Sequence, residues 1–231
     1  MKKLAIIPAR GGSKRIPRKN IKLFLGKPII SYSIEAAISS GLFDEVMVST
    51  EDHEIAKIAK QYGAKVPFLR STKNSSDTAT TIDVIAEVTQ KYSQLGLEFE
   101  YTCCIYSCAP FVTKEVLKKS FCKLEAEKLD CIFPLTKYGH PIQRALKINI
   151  KGYIEMIDPQ NMQIRTQDFE PSYHDLGQFY FFKTNEVISN NQLWTTNTGY
   201  IELADLESHD IDTEYDWEIA EFKFKYLKKN Q

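Results

Sequence analysis

The stretch that decides the fold is KLAIIPARGGSKRIPRKN, residues 3–20. Its first five residues, 3–7, form a short apolar run that is typical of a buried strand. Residues 10–20 combine glycines with cations, which predicts a loop. Because it directly follows an N-terminal strand, we expect this loop to leave the edge of a sheet and to reach a ligand there.

From this strand onward, the chain alternates predicted strands and helices as far as residue 135. The predicted strands after the first are 45–49, 65–68, 101–106 and 131–135. The predicted helices are 28–40, 51–62, 80–92 and 113–127. This alternation predicts an α/β fold with a mostly parallel sheet that is covered by helices on both faces. Such sheets bind ligands at the carboxyl ends of their strands.

The rhythm breaks over residues 136–176, where strand-like pieces at 145–150 and 153–156 precede an irregular polar stretch. It then resumes with strands at 178–182 and 199–203 and helices at 184–191 and 213–227. No internal repeat or low-complexity linker separates these parts. We therefore predict a single domain over residues 1–231, with 136–176 as an excursion from the sheet.

The charge is balanced in total but not in position. The 231 residues include 30 Lys plus Arg and 30 Asp plus Glu. Residues 1–34 contain nine basic side chains and no acid, whereas residues 202–221 contain nine acids and no Lys or Arg. A net charge of zero argues against a nucleic-acid coat protein and against an acidic disordered chain. The chain instead has a cationic arm, residues 1–34, and an anionic arm, residues 202–221.

The composition also limits the compartment and the use of cysteine. No run of eighteen apolar residues exists, and the apolar stretch before Pro8 is too short for a secretory signal. We therefore expect a cytoplasmic protein without a membrane partner. The five cysteines are odd in number and show no C-x-x-C spacing, so they indicate neither a disulfide framework nor a zinc site. Cys103 and Cys104 are expected in a buried strand.

The loop at 10–20 has the chemistry of a phosphate site. Gly11 and Gly12 let backbone amides approach a bound group, and five cations supply the opposite charge. Neither G-x-x-x-x-G-K-[ST] nor G-x-G-x-x-G is present, which excludes a P-loop or a dinucleotide loop by motif. A solvated basic loop, or an arm that touches RNA, remains the alternative from these residues alone.

The acidic arm contains a candidate metal site just before the last predicted helix. Asp210 and Asp212 are spaced i and i+2, so they point the same way in an extended segment. Two such carboxylates can hold Mg²⁺ (or Mn²⁺), which takes further ligands from water and substrate phosphates. The alternative is helix capping by Asp212 or Thr213, with Glu214 and Asp216 at the positive end of the helix.

Taken together, the two arms resemble a known family. The opening IPARGGSKRIPRKNI and the closing IDTEYDWEIAE closely resemble the signatures of the acylneuraminate cytidylyltransferases, or CMP-sialic acid synthetases, and the resemblance covers essentially the whole chain. It implies a Rossmann-like nucleotidyltransferase three-layer sandwich whose embedded extension packs on a second subunit. It also implies a Mg²⁺-dependent reaction in which CTP and an α-keto sugar acid give a CMP-sugar and diphosphate.

A departure from the family pattern refines the substrate. Sialic acid synthetases usually read LQPTSPL where this chain reads IYSCAPF over residues 105–111, so Tyr106 replaces the Gln that touches the sugar. This stretch and YHDLGQFY at 173–180 are similar to pseudaminic acid cytidylyltransferases. The resemblance therefore favours pseudaminic acid, with N-acetylneuraminic or legionaminic acid as alternatives.

The resemblance also assigns roles to residues. It places the triphosphate and nucleotide on Arg10, Gly12, Ser13, Lys14, Lys19, Asn20, Arg70, Ser76 and Thr78. Arg10, Lys19 and Asp212 are the expected catalytic residues, with Lys19 near the α-phosphate and Asp210 and Asp212 as the metal ligands. The alternative for Ser76 and Thr78 is a loop that caps the helix beginning near Thr80.

The acceptor is an acid, so its site needs a cation that can pair with a carboxylate. The expected sugar-site residues are Tyr106, Arg144, Arg165, Tyr173, His174, Asp175, Gln178, Phe179 and Tyr180. Arg144 and Arg165 lie in the excursion, which in the family completes the neighbouring subunit's site, so a homodimer is implied. Two remote alternatives are a Kdo cytidylyltransferase and a non-catalytic nucleotide- or RNA-binding module, which would bind RNA in a salt-sensitive way. The acidic arm argues against any nucleic-acid partner.

Overall fold

A computed structural model of the chain describes residues 1–229. The strands of this part are β1 (Lys3–Pro8), β2 (Leu23–Phe24), β3 (Lys27–Pro28), β4 (Glu45–Ser49), β5 (Tyr101–Ile105), β6 (Cys131–Lys137), β7 (Leu146–Ile148), β8 (Ile154–Met156), β9 (Tyr173–Asp175), β10 (Phe179–Lys183) and β11 (Thr198–Glu202). Its α-helices are α1 (Ile30–Ser40), α2 (His53–Gln61), α3 (Thr81–Gln94), α4 (Lys114–Ala126), α5 (Thr184–Asn190) and α6 (Glu214–Lys229).

Seven of the strands form one sheet. Six follow the order β11-β6-β10-β5-β1-β4, and β9 pairs with the carboxyl-terminal end of β6. The pairs β1–β4, β1–β5 and β6–β11 are parallel, whereas β10 runs antiparallel between β5 and β6. Strand β9 is also antiparallel to β6. The prediction of a mostly parallel sheet is confirmed.

Alternating side chains of the strands divide the core into two layers. On one face, Ile7 of β1 packs with residues of α1, α2 and α4, and on the other face Ile6 packs with residues of α3 and α5. Both isoleucines are fully buried. This arrangement of helix, sheet and helix is the three-layer, Rossmann-like sandwich that the sequence predicts.

A third cluster of buried residues joins the two ends of the chain. The ring of Phe24, in the β2–β3 hairpin, packs edge-on against Trp217 and Phe224 of α6, with centroids 5.6 Å apart in each pair. Such aromatic pairs stabilise a contact beyond the area they bury. Helix α6 therefore carries the acidic arm to the cationic loop.

The excursion leaves the sheet after β6 and returns through β9. Strands β7 and β8 form an antiparallel hairpin within it. Its large apolar side chains point mostly to solvent: Ile148, Ile150 and Ile154 are 76%, 103% and 71% exposed. Several large exposed apolar side chains on one short segment are typical of an interaction site.

Several predicted element boundaries were wrong. Residues 65–68 form no strand, because only Lys65 makes a single bridge, to Met47. Helix α1 begins at Ile30 rather than at Pro28, since Pro28 pairs with Leu23 in the β2–β3 hairpin. Helix α2 begins at His53, after the capping residue Asp52.

Among the described residues, no helix has both the length and the apolar character needed to cross a membrane. Cys103 and Cys104 are buried in β5, as predicted, and all five cysteines are free thiols. Burial is the main reason that the pKa of the Cys104 thiol rises to about 12, which makes this thiol unreactive.

Candidate functional site

A cleft of about 450 Å³ opens at the carboxyl ends of β1 and β5. Its wall includes most of the residues predicted to bind the nucleotide and the metal, namely Arg10, Ser13, Lys14, Lys19, Asn20, Arg70, Ser76, Asp210 and Asp212. Two others, Gly12 and Thr78, lie next to lining residues but do not themselves line the cleft. The cationic and anionic arms therefore meet in one place.

The cationic loop is held by the start of α2. The backbone amide of Gly11 donates to Oε1 of Glu51 at 2.7 Å, and Arg18 pairs with both Asp52 and Glu54. Arg18 takes a left-handed conformation, with φ of 55°. The hydrogen bond from Arg18 is the largest cause that lowers the pKa of Asp52 to about 2. These contacts pre-shape the loop without using Arg10 or Lys14.

Asn20 lines the cleft and is also held by contacts within its own chain. Its Nδ2 donates to the carbonyl of Arg10 at 2.7 Å, and its Oδ1 accepts from the hydroxyl of Ser107 at 2.7 Å and from the thiol of Cys108 at 3.2 Å. The side chain is buried and already engaged at both ends. Asn20 therefore positions the loop against the end of β5, and its role in binding the nucleotide, for which one N–H of Nδ2 remains, stays a prediction.

The cations of the loop are paired with nearby carboxylates. Arg10 contacts Asp77 at 2.5 Å, Lys14 also contacts Asp77, and Arg15 contacts Asp212 at 2.7 Å. All of these side chains are substantially exposed, and exposed pairs of this kind contribute little to stability. The cations can therefore exchange these partners for the oxygens of a polyphosphate.

Lys19 joins the two arms directly, because its Nζ donates to the carbonyl of Ile211. Ile211 lies between Asp210 and Asp212 in the chain. Burial is the main reason that the pKa of Asp210 is raised, and the neighbouring charge of Asp212 adds to the effect. A carboxylate whose pKa is raised by burial and by a neighbouring negative charge favours a bound cation in the cleft.

The helix-capping alternative is confirmed for Thr213 and Asp216, but not for the side chain of Asp212. Oδ2 of Asp216 accepts from the amides of Asp212 and Thr213, at 3.1 and 2.7 Å, and the hydroxyl of Thr213 accepts from the amide of Asp216 at 3.2 Å. This reciprocal pair caps α6. The side chains of Asp210 and Asp212 are therefore not needed as caps. Two carboxylates beside a phosphate site fit Mg²⁺ or Mn²⁺, which would take its other ligands from substrate and water.

Arg70 also lines the cleft and is anchored to the end of β4. Its Nε donates to the hydroxyl of Ser49 at 3.0 Å, and its Nη2 donates to the Ser49 carbonyl. The residue is only 8% exposed, and burial lowers its pKa. A buried guanidinium held in this way is a fixed donor for a ligand in the cleft.

The segment 71–79 forms part of the wall of the cleft and is anchored by α3. Glu87 of α3 accepts hydrogen bonds from the amide and hydroxyl of Ser71, at 2.8 and 2.7 Å, and from Asn74 at 2.6 Å. It also pairs with Lys91 at 2.6 Å. Burial raises the pKa of Glu87, but these hydrogen bonds outweigh it and bring the pKa to about 2.

A second cavity of about 470 Å³ adjoins the cleft, and Tyr106, Gly177 and Asp210 line both. The rings of Tyr106 and Tyr180 meet edge-on with centroids 6.0 Å apart. The hydroxyl of Tyr180 donates to Asp175, whose other oxygen accepts from the amide of Gly177 at 2.8 Å. The cavity therefore combines an aromatic wall with fixed polar groups, as a sugar site requires.

A model of the cytidylyltransferase family matches residues 4–194. The chain belongs to the cytidylyltransferase family. It is 41% identical over 228 residues to a pseudaminic acid cytidylyltransferase from Campylobacter jejuni, an alignment that covers 97% of each chain. It is 32% identical over 242 residues to a CMP-N,N'-diacetyllegionaminic acid synthase from Legionella pneumophila, covering 100% of this chain and 98% of the relative.

A solved structure of a CMP:2-keto-3-deoxy-manno-octonic acid synthetase complexed with CTP has the same fold. Its TM-score with this cytidylyltransferase is 0.72 at 18% identity, covering 98% of this chain and 100% of the other. At that identity the likeness shows the fold alone. The family membership and the fold together make this chain a nucleotidyltransferase.

Of the residues predicted for the sugar site of this cytidylyltransferase, Tyr106, His174, Asp175 and Tyr180 line the second cavity. Phe179 was wrongly predicted, because its side chain is fully buried in the core on the opposite face of the sheet. Gln178 is also buried, and its amide donates to the carbonyl of Glu207 at 3.0 Å. Successive strand residues face opposite ways, which explains why Tyr180 reaches the cavity and Phe179 does not.

The three remaining predicted sugar-site residues lie in the excursion and line neither cavity of their own chain. Arg144 donates to the carbonyl of Ile164 at 2.5 Å, and Arg165 pairs with Asp168 at 2.7 Å. Tyr173 is 41% exposed. A role for them in a neighbouring subunit's site stays a prediction.

Two groups of lining residues in this cytidylyltransferase were missed from the sequence. Asn74 comes from the segment that carries Ser76, and Thr80 and Thr81 directly follow that segment, so adjacency to the predicted motif was the available signal. Lys223 lines the second cavity from α6, and no motif marks it. It was hidden among the other lysines of an amphipathic helix.

Proposed function

We propose that this cytidylyltransferase transfers the cytidylyl group of CTP to pseudaminic acid, giving CMP-pseudaminic acid and diphosphate. The observation that carries the proposal is the cleft in which the cationic loop faces Asp210 and Asp212, with a sugar-sized cavity beside it. The near full-length similarity to a pseudaminic acid cytidylyltransferase supports the choice of acid.

In this proposal the triphosphate lies on the cationic loop, where Arg10 and Lys14 exchange Asp77 for phosphate oxygens. Lys19 lies beside the α-phosphate, because its Nζ is held at Ile211 between the two metal candidates. Attack by the anomeric hydroxyl on the α-phosphorus needs positioned charge more than covalent help from the protein. Fixed cations that neutralise the developing charge therefore account for most of the catalysis.

Asp210 and Asp212 would hold a divalent cation in the cleft. A bound Mg²⁺ or Mn²⁺ supplies charge neutralisation at the α-phosphate and lowers the pKa of the attacking hydroxyl. Arg70, fixed by Ser49, would donate to the acceptor edge of the cytosine. The hydroxyls of Ser76 and Thr78, 3.1 Å apart, would face the ribose.

The acceptor would occupy the second cavity, with its acylamino groups against Tyr106 and Tyr180 and a polar group on Asp175. We further propose that two chains form a homodimer through the apolar side chains of the excursion, which would bring Arg144 and Arg165 to the neighbouring site. The reaction would take place in the cytoplasm, where CTP is made.

The test is to offer CTP and Mg²⁺ with pseudaminic, legionaminic and N-acetylneuraminic acids in parallel and to measure diphosphate release. We expect the highest kcat/KM with pseudaminic acid and no release when acid or metal is omitted. A preference for legionaminic acid, as in the Legionella relative, or for N-acetylneuraminic acid would reject the assigned substrate. Salt-sensitive RNA binding without any turnover would reject the enzyme altogether.

The metal assignment has its own test within the same assay. Asp212→Asn keeps the size of the side chain but removes the charge, so kcat should fall by about 10²–10³, the scale of a lost electrostatic contact in the transition state. The Mg²⁺ concentration for half-maximal rate should rise at the same time. Full activity of Asp212→Asn at low Mg²⁺ would show that this carboxylate does not hold the metal.

A further inference from the structure

The lining of the second cavity contains several carboxylates, which would repel a negatively charged sugar acid. Asp175, Asp205 and Asp210 all contribute to its wall. Among the described residues that line it, Lys223 is the one lysine or arginine. From its own chain, an anion that enters this cavity would therefore meet three carboxylates and a single fixed ammonium group.

Lys223 is held in place by the segment that leads to the metal candidates. Its Nζ donates to the carbonyl of Asp205 at 2.8 Å, to Oδ2 of Asp205 at 3.0 Å and to the carbonyl of Ser208 at 3.1 Å. Its side chain is 13% exposed. The three N–H donors of the ammonium group thus have three partners, of which one is a carboxylate.

That carboxylate belongs to an exposed and replaceable side chain. The Asp205 side chain is 81% exposed, so water screens most of its attraction to Lys223. The two carbonyl contacts do not depend on that side chain. Another carboxylate can therefore take the place of Asp205 Oδ2 without changing how the rest of Lys223 is held.

We propose that Lys223 binds the carboxylate of the sugar-acid acceptor, and that the Asp205 side chain occupies this position until the acceptor arrives. The inference rests on the proposed function and deepens it, because it names the residue that recognises the acid. Exchange of one carboxylate for another keeps the ammonium group neutralised throughout. It also places the acid group in the cavity that Asp210 joins to the cleft, beside the nucleotide.

The experiment compares Lys223→Met, Lys223→Arg and Asp205→Asn with the wild-type enzyme. We expect Lys223→Met to raise the KM for the sugar acid at least tenfold while the KM for CTP stays within twofold. Lys223→Arg should recover part of the loss. Asp205→Asn should act in the opposite direction and lower the KM for the acid, because it removes the competing carboxylate. Lys225→Met, an exposed lysine on the same helix, is the matched control.

The proposal predicts that the KM for the acid rises in Lys223→Met and falls in Asp205→Asn. These opposite changes distinguish it from a structural role of Lys223. If Lys223 only fastens the segment before Asp210, Lys223→Met and Asp205→Asn will both weaken activity, and the Mg²⁺ requirement will rise with them. That result, or an unchanged KM for the acid in Lys223→Met, would overturn the proposal. Thermal melting of each variant identifies any that fails to fold. If Lys223→Met does not fold, the KM of Asp205→Asn for the acid decides the test.

A second readout does not depend on turnover. Calorimetric titration of pseudaminic acid into the enzyme in the presence of CMP measures the affinity for the acid directly. Weaker binding by Lys223→Met and tighter binding by Asp205→Asn support the proposal, and equal binding rejects it. Wild-type enzyme that binds the acid without ever releasing diphosphate from CTP would instead reject the proposed function.

Discussion

At the scale of single residues, Gly11 shows how closely the cationic loop approaches α2. A Cβ atom built on Gly11 would lie 2.5 Å from Oδ2 of Asp52, the residue that caps α2 and pairs with Arg18. The neighbouring Gly12 has open space around the same position. Of the two adjacent glycines, the first is therefore required by packing.

Gly11→Ala should lower the free energy of unfolding by about 1–3 kcal/mol, the usual cost of overpacking. The added methyl group forces Asp52 away from Arg18 and from the first turn of α2. Chemical denaturation measures the loss, and Gly12→Ala, which meets no neighbour, is the control. Equal stability of the two variants would contradict this account of the loop.

Asp52 should also affect stability at low pH. Its pKa is about 2 in the folded chain, below the usual value of about 4, so the charged form is stabilised by folding. This stability is complete above about pH 4 and disappears as the pH falls towards 2. Asp52→Asn can still cap the helix but carries no charge.

We therefore expect Asp52→Asn to be less stable than the wild type by about 2 kcal/mol at pH 7, and the difference to shrink between pH 4 and pH 2. Unfolding in urea across this range measures it. A difference that is independent of pH would show that Asp52 acts through packing alone.

At the scale of elements, the segment 71–79 depends on one carboxylate of α3. Glu87→Ala removes its three contacts to Ser71 and Asn74, so the segment should loosen over the cleft. We expect the KM for CTP to rise about tenfold, which corresponds to about 1.4 kcal/mol, and amide exchange over 71–79 to accelerate. Glu98→Ala, near the end of the same helix, is the control. Unchanged exchange in the segment would contradict the anchoring role.

The same scale shows what the sequence can and cannot predict. The alternation of apolar runs with amphipathic segments predicts the sheet and its two helical layers, because burial dominates there. Residues 65–68 look like a strand because Val66 and Phe68 are apolar, yet these side chains pack beside the sheet without pairing. The composition of residues 10–19 predicts a phosphate-binding loop. The hydrogen bonds by which Asn20 holds this loop could not be predicted, because they depend on residues 107 and 108, which are distant in the sequence. Lys223 depends on how α6 packs, which no local pattern encodes.

At the scale of the whole molecule, the apolar surface of the excursion predicts self-association. Ile150→Asp together with Ile154→Asp places charges in that surface and should turn a dimer into a monomer. Sedimentation velocity at micromolar concentration measures this change. Leu95→Asp, at an exposed leucine outside the excursion, should have no effect. A wild-type chain that sediments as a monomer would reject the proposed homodimer.

Strand β10 has a further consequence for how the chain is made. It runs between β5 and β6, where Phe181 pairs with both Cys103 and Ile132. A ribosome completes β5 and β6 before residues 179–183 emerge. Until that strand inserts, both neighbours present unpaired peptide groups, which favour association with other chains. Translation that stops before residue 179 therefore yields an aggregating fragment rather than a smaller enzyme.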